Sequence, residues 1–342
     1  MSGPHDLFVR FTFENPERAE AELRAALPPN IVAQVDWSSL RRESGSVIDP
    51  ELRETETDLL FSARLAGGQP LLVYLLLEHQ SSVDRWMALR MLRYVVRHLE
   101  NWRKSHPGSV LLPVVIPLVL YHGPDGSWSA PRRVEELFDV PGEESQQGLW
   151  RSFAPHFEYR VDDLTVERAE ALMSRPGSPL VRLALLALRY GRSKELAEQL
   201  SSWRDLFIQV RVARQGVEEL KAVFGYLFLV GHESARAATV GMLKSVVGAQ
   251  RSEEVMDILS KMVDAHLREQ GRLEGREEGR ALGRAEVQAE GVLRILAARG
   301  VEVDEESQRR ILSCADLATL DRWFDLALKA TRLSDVLDPL AQ

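Results

Sequence analysis

Seven consecutive apolar residues at 71–77 (LLVYLLL), followed at once by Glu78, His79 and Gln80, constrain this chain more than any other stretch. An unbroken apolar run of that length with β-branched and aromatic members fits a strand buried on both faces. Gly67-Gly68 upstream supplies a turn, residues 57–65 supply a second strand, and the two read as a hairpin. Residues 37–48 are a weaker third candidate. A carboxylate at the end of a buried strand is costly unless something pairs with it, and metal cations are common partners. Glu78 and Gln80, two apart, project from one face of the strand, and His79 from the other.

A loop of residues 66–70 would pair Leu65 with Leu71 and set Asp58 opposite Glu78 and Glu56 opposite Gln80. Opposed side chains have Cβ atoms about 4.5–5.5 Å apart, close enough for two carboxylates to share one divalent cation. The alternative is an Asp58 that starts an edge strand in solvent, with Glu78 paired to a nearby arginine. Hard carboxylate oxygens suit Mg²⁺ or Mn²⁺, and a cation so held favours phosphodiester hydrolysis.

The next segment, 84–104, is helical in period, with Leu89, Leu92, Val96 and Leu99 expected on the apolar face and Arg90, Arg93 and Arg97 on another. Its cations make a local positive surface on a chain whose formal net charge is −8, which excludes a uniformly basic nucleic-acid coat. The same arginines could equally be an ordinary solvated face. Residues 110–121 read as a buried strand despite Pro113 and Pro117. His122 after it could face DNA or be structural.

Beyond about residue 160 helical periodicity takes over, at 181–190, 217–230 and 253–269. Glycine then recurs at 271, 275, 279 and 283, each followed by arginine, as either a marginal helix or a flexible connector. Residues 292–336 look like a small helical unit with Ile311, Leu317, Leu320, Trp323 and Leu326 as core. The single cysteine, Cys314, forbids an intrachain disulfide and starves a Cys-based zinc site of ligands. No stretch approaches the roughly 20 apolar residues of a membrane span, so a cytoplasmic protein with no membrane partner is expected.

Several short motifs occur in a set order: Pro4, His5, Asp6 and Phe8; TDLLF at 57–61; LLLEHQSS at 75–82; ALRMLRY at 88–94; and LPVVIPLVLYHG at 112–123, with Trp128. In this the chain resembles the recombination-promoting nuclease (Rpn) family of transposase-like proteins, over roughly the first 200 residues, and the Gly-Arg stretch resembles that family's tail. The resemblance implies an α/β (mixed-sheet) PD-(D/E)XK restriction-endonuclease-like core followed by a mainly helical C-terminal half. It implies an active site on two adjacent strands that cuts DNA with a divalent metal. Asp58 matches the acid of the PD element, Glu78 the second acid, and Gln80 the place of the lysine; Asp6 sits at an acidic position of the first helix and would complete the metal site. Thr57 replaces the proline of that element, and the neutral Gln80 lacks the charge that would stabilise a pentavalent transition state.

The expectation is therefore a Mg²⁺-dependent DNA endonuclease, with Mn²⁺ or Ca²⁺ as other metals. Its catalytic residues would be Asp58, Glu78 and Gln80, its metal ligands Asp58, Glu78 and Asp6, and its DNA contacts Arg90, Arg93 and Arg97. The alternative is a catalytically weak or inactive DNA-binding or assembly protein of the same fold. The expected organisation is a nuclease core at 1–160, a helical extension at 161–265, the Gly-Arg connector at 266–291 and a helical unit at 292–342, with homo-oligomer formation through the C-terminal helical region.

Overall fold

A computed structural model describes residues 3–43, 59–78, 83–123, 126–140, 150 and 152–337. The chain divides into two compact units, Met1–Ser260 and Lys261–Gln342.

In the first unit, proline opens each of the first three helices, where its missing N–H is no loss: α1 (Pro4–Phe13), α2 (Pro16–Ala26) and the short α3 (Pro29–Val32). Asn15 caps α2, its Oδ1 accepting from Glu17 N at 2.9 Å. Then come β1 (Val35–Arg42), β2 (Leu59–Leu65), β3 (Pro70–Glu78), α4 (Met87–Ser105), β4 (Val114–Tyr121) and β5 (Arg160–Asp163). They form a mixed five-stranded sheet in the order β1-β2-β3-β4-β5. The first three strands are antiparallel, and β4 and β5 continue parallel to β3. Helix α4 is the crossover that a parallel β3–β4 pair requires.

The hairpin forms where Gly67-Gly68 predicts it, but its loop is shorter than the sequence reading assumed. Leu65 N donates to Gln69 O at 2.9 Å, Gly68 N donates to Leu65 O at 2.8 Å, and Gly68 has φ +85°. This is the three-residue hairpin loop that places glycine in the left-handed region. Ala63, not Leu65, consequently pairs with Leu71, and the described ladder ends at Leu59 opposite Leu75. A two-residue shift leaves the side chains of 59–65 and 70–74 on their expected faces.

Strand β4 also starts later than expected. Val110 and Leu111 are 95% and 77% exposed, and pairing begins only after Pro113. Pro117 is tolerated because β5 first pairs at Leu118, leaving β4 with one neighbour at the proline.

The sheet's two faces differ. Leu59, Phe61, Ala63, Leu71, Val73, Leu118 and Leu120 share one core with α1, α2 and a following helical layer. That layer comprises α5 (Ala169–Ser174), α6 (Pro179–Tyr190), α7 (Leu196–Gln199), α8 (Arg204–Val212), α9 (Gly216–Val230) and α10 (Glu233–Val247). Helix α6 is apolar around almost its whole circumference, as a helix at the centre of a core must be. On the other face Tyr74, Val119 and Tyr121 meet Met87, Ala88, Met91 and Tyr94 of α4. This corrects the expected apolar face of α4: Leu89 and Val96 are 50% and 45% exposed, while Met87, Met91, Tyr94 and Val95 are buried. Apolar residues surround enough of this helix that the sheet, rather than periodicity, selects the buried stripe.

Two buried ion-pair sets tie α2 to the later elements. Arg18 Nη2 reaches Glu219 Oε1 of α9 at 2.6 Å. Arg175, after α5, grips Asp162 of β5 at 2.6 and 2.9 Å and Glu22 at 2.9 Å. Burial and the neighbouring Asp162 push the Glu22 carboxyl well up, while hydrogen bonds from Arg175 lower that of Asp162. Glu167 also lies 3.7 Å from the Arg175 guanidinium, so one arginine is shared by three carboxyl groups.

Helix α11 (Ala249–Ala298) contains the whole Gly-Arg stretch, so of the two sequence readings the helical one holds. In the second unit its C-terminal part packs with α12 (Glu305–Leu312), α13 (Leu317–Ala327) and α14 (Ser334–Leu337). The core there includes Val292, Leu296, Ile311, Leu320 and Trp323, with Leu317 and Leu326 partly buried against it. Among the described residues no helix is long and apolar enough to cross a membrane.

Candidate active site

Parallel strands end together, and the diverging chain beyond their carboxyl ends leaves a crevice where ligands commonly bind. Here Glu78, the last residue of β3, is the register partner of Tyr121, the last residue of β4. His122 and Gly123 follow. A side chain at position 123 would run into the Tyr121 ring, so the chain can leave the strand this closely only with glycine there.

The N-terminus of α1 arrives at this same edge. His5 and His122 are both buried, with ring centroids 4.9 Å apart at 52°. His5 Nδ1 is hydrogen-bonded to Tyr226 Oη of α9 at 2.8 Å, and Tyr226 stacks on Phe8 at 4.3 Å. Burial pushes the Tyr226 hydroxyl well above its ordinary range, so it stays protonated. Arg192 closes the set from the segment after α6, its Nη2 donating to the His122 carbonyl at 2.9 Å. One residue past His5, Asp6 accepts from Gly3 N at 2.9 Å and caps the first turn of α1.

The motifs at 4–6, 75–78 and 121–123, far apart in sequence, thus converge on the carboxyl edge of β3 and β4. The tie is direct for two of them, through the His5–His122 contact and the Glu78–Tyr121 register. Glu78 takes its expected place at the end of its strand. Asp58 and Gln80, and with them the expected pairings of Asp58 with Glu78 and of Glu56 with Gln80, lie outside the described residues. Among the described residues no three Asp, Glu, His or Cys side chains are grouped as metal ligands.

Arg90, Arg93 and Arg97 lie along one flank of α4, beside its buried stripe. Arg90 pairs with Asp84 at 3.3 Å, and Arg93 is exposed while Arg97 is half-buried. Helix α4 leads away from the end of β3, so Arg90, near its start, is the member closest in chain to that edge.

The sequence reading missed His5, Arg192 and Tyr226 and left the role of His122 open. The two histidines stood inside the quoted motifs, PHD and YHG, and were legible as motif members though not as partners. Arg192 and Tyr226 come from the helical half and carry no local signature.

Residues 3–218 match the family model described as "Putative transposase, YhgA-like". Among curated proteins, the recombination-promoting nuclease RpnA of Escherichia coli (strain K12) is 30% identical over 230 residues, covering 67% of this chain and 73% of that one. RpnD of Escherichia coli O157:H7, another recombination-promoting nuclease, is 27% identical over 267 residues, covering 76% and 94%. The inactive recombination-promoting nuclease-like protein RpnE of Escherichia coli (strain K12) is 28% identical over 235 residues, covering 68% and 73%. No solved structure matches.

Proposed function

Because the chain belongs to the recombination-promoting nuclease family, we propose that it is a metal-dependent DNA endonuclease with a PD-(D/E)XK-type core. The observation that supports this reading most is the convergence of α1, the end of β3 and the Tyr121–Gly123 exit on one edge of a mixed sheet. The carboxylates that the family resemblance assigns to this edge would suit a hard divalent cation, with Mg²⁺ first and Mn²⁺ or Ca²⁺ as alternatives. Asp58 and Glu78 would hold it, with Asp6 completing the set. When bound, such a cation polarises a phosphoryl oxygen and makes a bound water more acidic. Glu78 and Gln80 orient the water that attacks phosphorus, one P–O ester bond is exchanged for a hydroxyl and a phosphate, and the α4 arginines hold the backbone in register.

A second reading, a DNA-binding or assembly protein of the same fold without activity, is favoured by one residue. Gln80 is neutral where the superfamily pattern has lysine, and two similar proteins are named inactive. Supercoiled-plasmid cleavage in Mg²⁺, Mn²⁺ and Ca²⁺ decides between them. The expected result is cutting in at least one metal that falls roughly 100-fold or more in Asp58→Ala and in Glu78→Ala. Binding without cutting in every metal selects the second reading, and neither binding nor cutting removes both.

Homo-oligomer formation through the C-terminal helical region belongs to the same proposal. Gly271, Gly275 and Gly279 are exposed on α11 and leave room for a close neighbour. Removal of residues 265–342 is expected to reduce an oligomer to a monomer in light scattering. An unchanged mass would overturn the assignment.

A further inference from the structure

The open part of the sheet carries a second feature that the cleavage edge does not use. Helix α4 covers β3 and β4 but leaves the ends of β1 and β2 bare, and a groove of about 1030 Å³ runs between them and the helix. Its floor includes Ser62 and Leu72, Arg41 and Arg64 rise from the strands, and Lys104 stands on the helical wall. All three cations are exposed. Arg41 spends its hydrogen bonds on the backbone carbonyls of Ser38 and Leu40, at 3.0 and 2.7 Å. Among the described residues none of the three has a carboxylate at ion-pair distance. The acid of the groove, Glu43, accepts from Ser62 Oγ.

Lys104 also continues a line. Arg90, Arg97 and Lys104 are seven residues apart, two helical turns each time, and so share one flank of α4. Fourteen residues of helix span about 21 Å. At about 3.4 Å per nucleotide of one strand this covers roughly six phosphates. The line starts where α4 leaves the end of β3 and finishes in the groove, so it joins the cleavage edge to the basic groove.

We propose that this groove and the flank of α4 form one track for the DNA sugar–phosphate backbone, with Arg41, Arg64 and Lys104 contacting phosphates away from the bond being cut. This rests on the nuclease reading and adds to it the direction in which substrate leaves the site. The expected contact is with phosphate, which carries charge whatever the base sequence.

The test is fluorescence anisotropy of a labelled 20-base-pair duplex with the full chain in EDTA, across 50–300 mM NaCl. The variant is Arg41→Gln/Arg64→Gln/Lys104→Gln, and the control Arg204→Gln/Arg236→Gln/Lys244→Gln removes equal charge from exposed positions elsewhere. Loss of three phosphate contacts should flatten the slope of log K against log[salt] by about 2 to 3 and weaken binding at 100 mM roughly 10- to 100-fold. The control should keep the wild-type slope. Circular dichroism melting of the variant checks that it is folded, and Lys104→Gln alone, at a position without a structural bond, should flatten the slope by about 1. Wild-type binding with an unchanged slope in the variants, or an equal loss in the control, overturns the track. Absence of binding by the wild-type chain instead overturns the nuclease reading on which it rests.

Discussion

The two faces of the sheet are made from the same strands and treated in opposite ways. One face, carrying Phe61 and Val73, is sealed by α1, α2 and the helices after residue 164 into a single core, and buried ion pairs fasten its rim. The other is covered only where α4 lies, and beyond that Ser62 and Arg64 stand on an open strand. The sealed face fixes where the strands end and therefore where Glu78 and Tyr121 meet. The open face is free to carry charge. The proposed nuclease function uses both, since a catalytic edge must be rigid to a fraction of an ångström while a phosphate track needs exposed cations at a suitable spacing.

Adjacent residues of β2 measure that difference most directly. Phe61 is fully buried in the sealed core, and Leu60, its neighbour, points to the opposite face and lines the groove. Phe61→Ala is expected to cost about 4 kcal/mol of unfolding free energy in urea denaturation, through lost transfer energy and the cavity left behind. Leu60→Ala should cost about 1 to 2 kcal/mol, because a side chain only partly buried against the α4 side has less to lose. Equal losses would show that the open face is packed as tightly as the sealed one, and would remove the physical basis for a groove there.

The sealed face was also the more legible one in the sequence. The apolar run at 71–77 and the Gly67-Gly68 turn are local signals, and each produced its element within a few residues. Where the reading failed, the deciding information was not local. The hairpin register depended on whether Gly68 closed a three-residue loop, which composition alone does not state. The buried stripe of α4 depended on which of several apolar flanks the sheet would take, so Met91 and Tyr94 went in and Leu89 and Val96 stayed out. Of the expected site residues, Glu78 is the last residue of β3, at the end of the apolar run that marks the strand. His5 and His122 meet across more than a hundred residues, and Tyr226 joins them from α9 and Arg192 from the turn after α6, neither with a local signature. The Glu22–Arg175–Asp162 set was invisible for the same reason, since each member looks like a surface charge until the fold brings it inside.

The smaller test of the comparison sits at the boundary between the faces. His98 of α4 lines the groove, with its ring 4.7 Å from that of Tyr74, and burial lowers its pKa to about 4. In the unfolded chain a histidine titrates near 6.5, so between about pH 6.5 and 4 the unfolded state binds more protons than the folded one. Stability from this residue is therefore intact above about pH 6.5 and is lost progressively as the pH falls toward 4. The loss by pH 5 is about 2 kcal/mol. His98→Phe, which keeps an aromatic ring and cannot titrate, should lose correspondingly less stability between pH 7.5 and pH 5 in urea denaturation, leaving the shared carboxylate titrations to cancel in the difference. If the two proteins lose the same amount, the imidazole is as solvated folded as unfolded, and the floor of the groove beneath α4 is open to water rather than sealed against Tyr74.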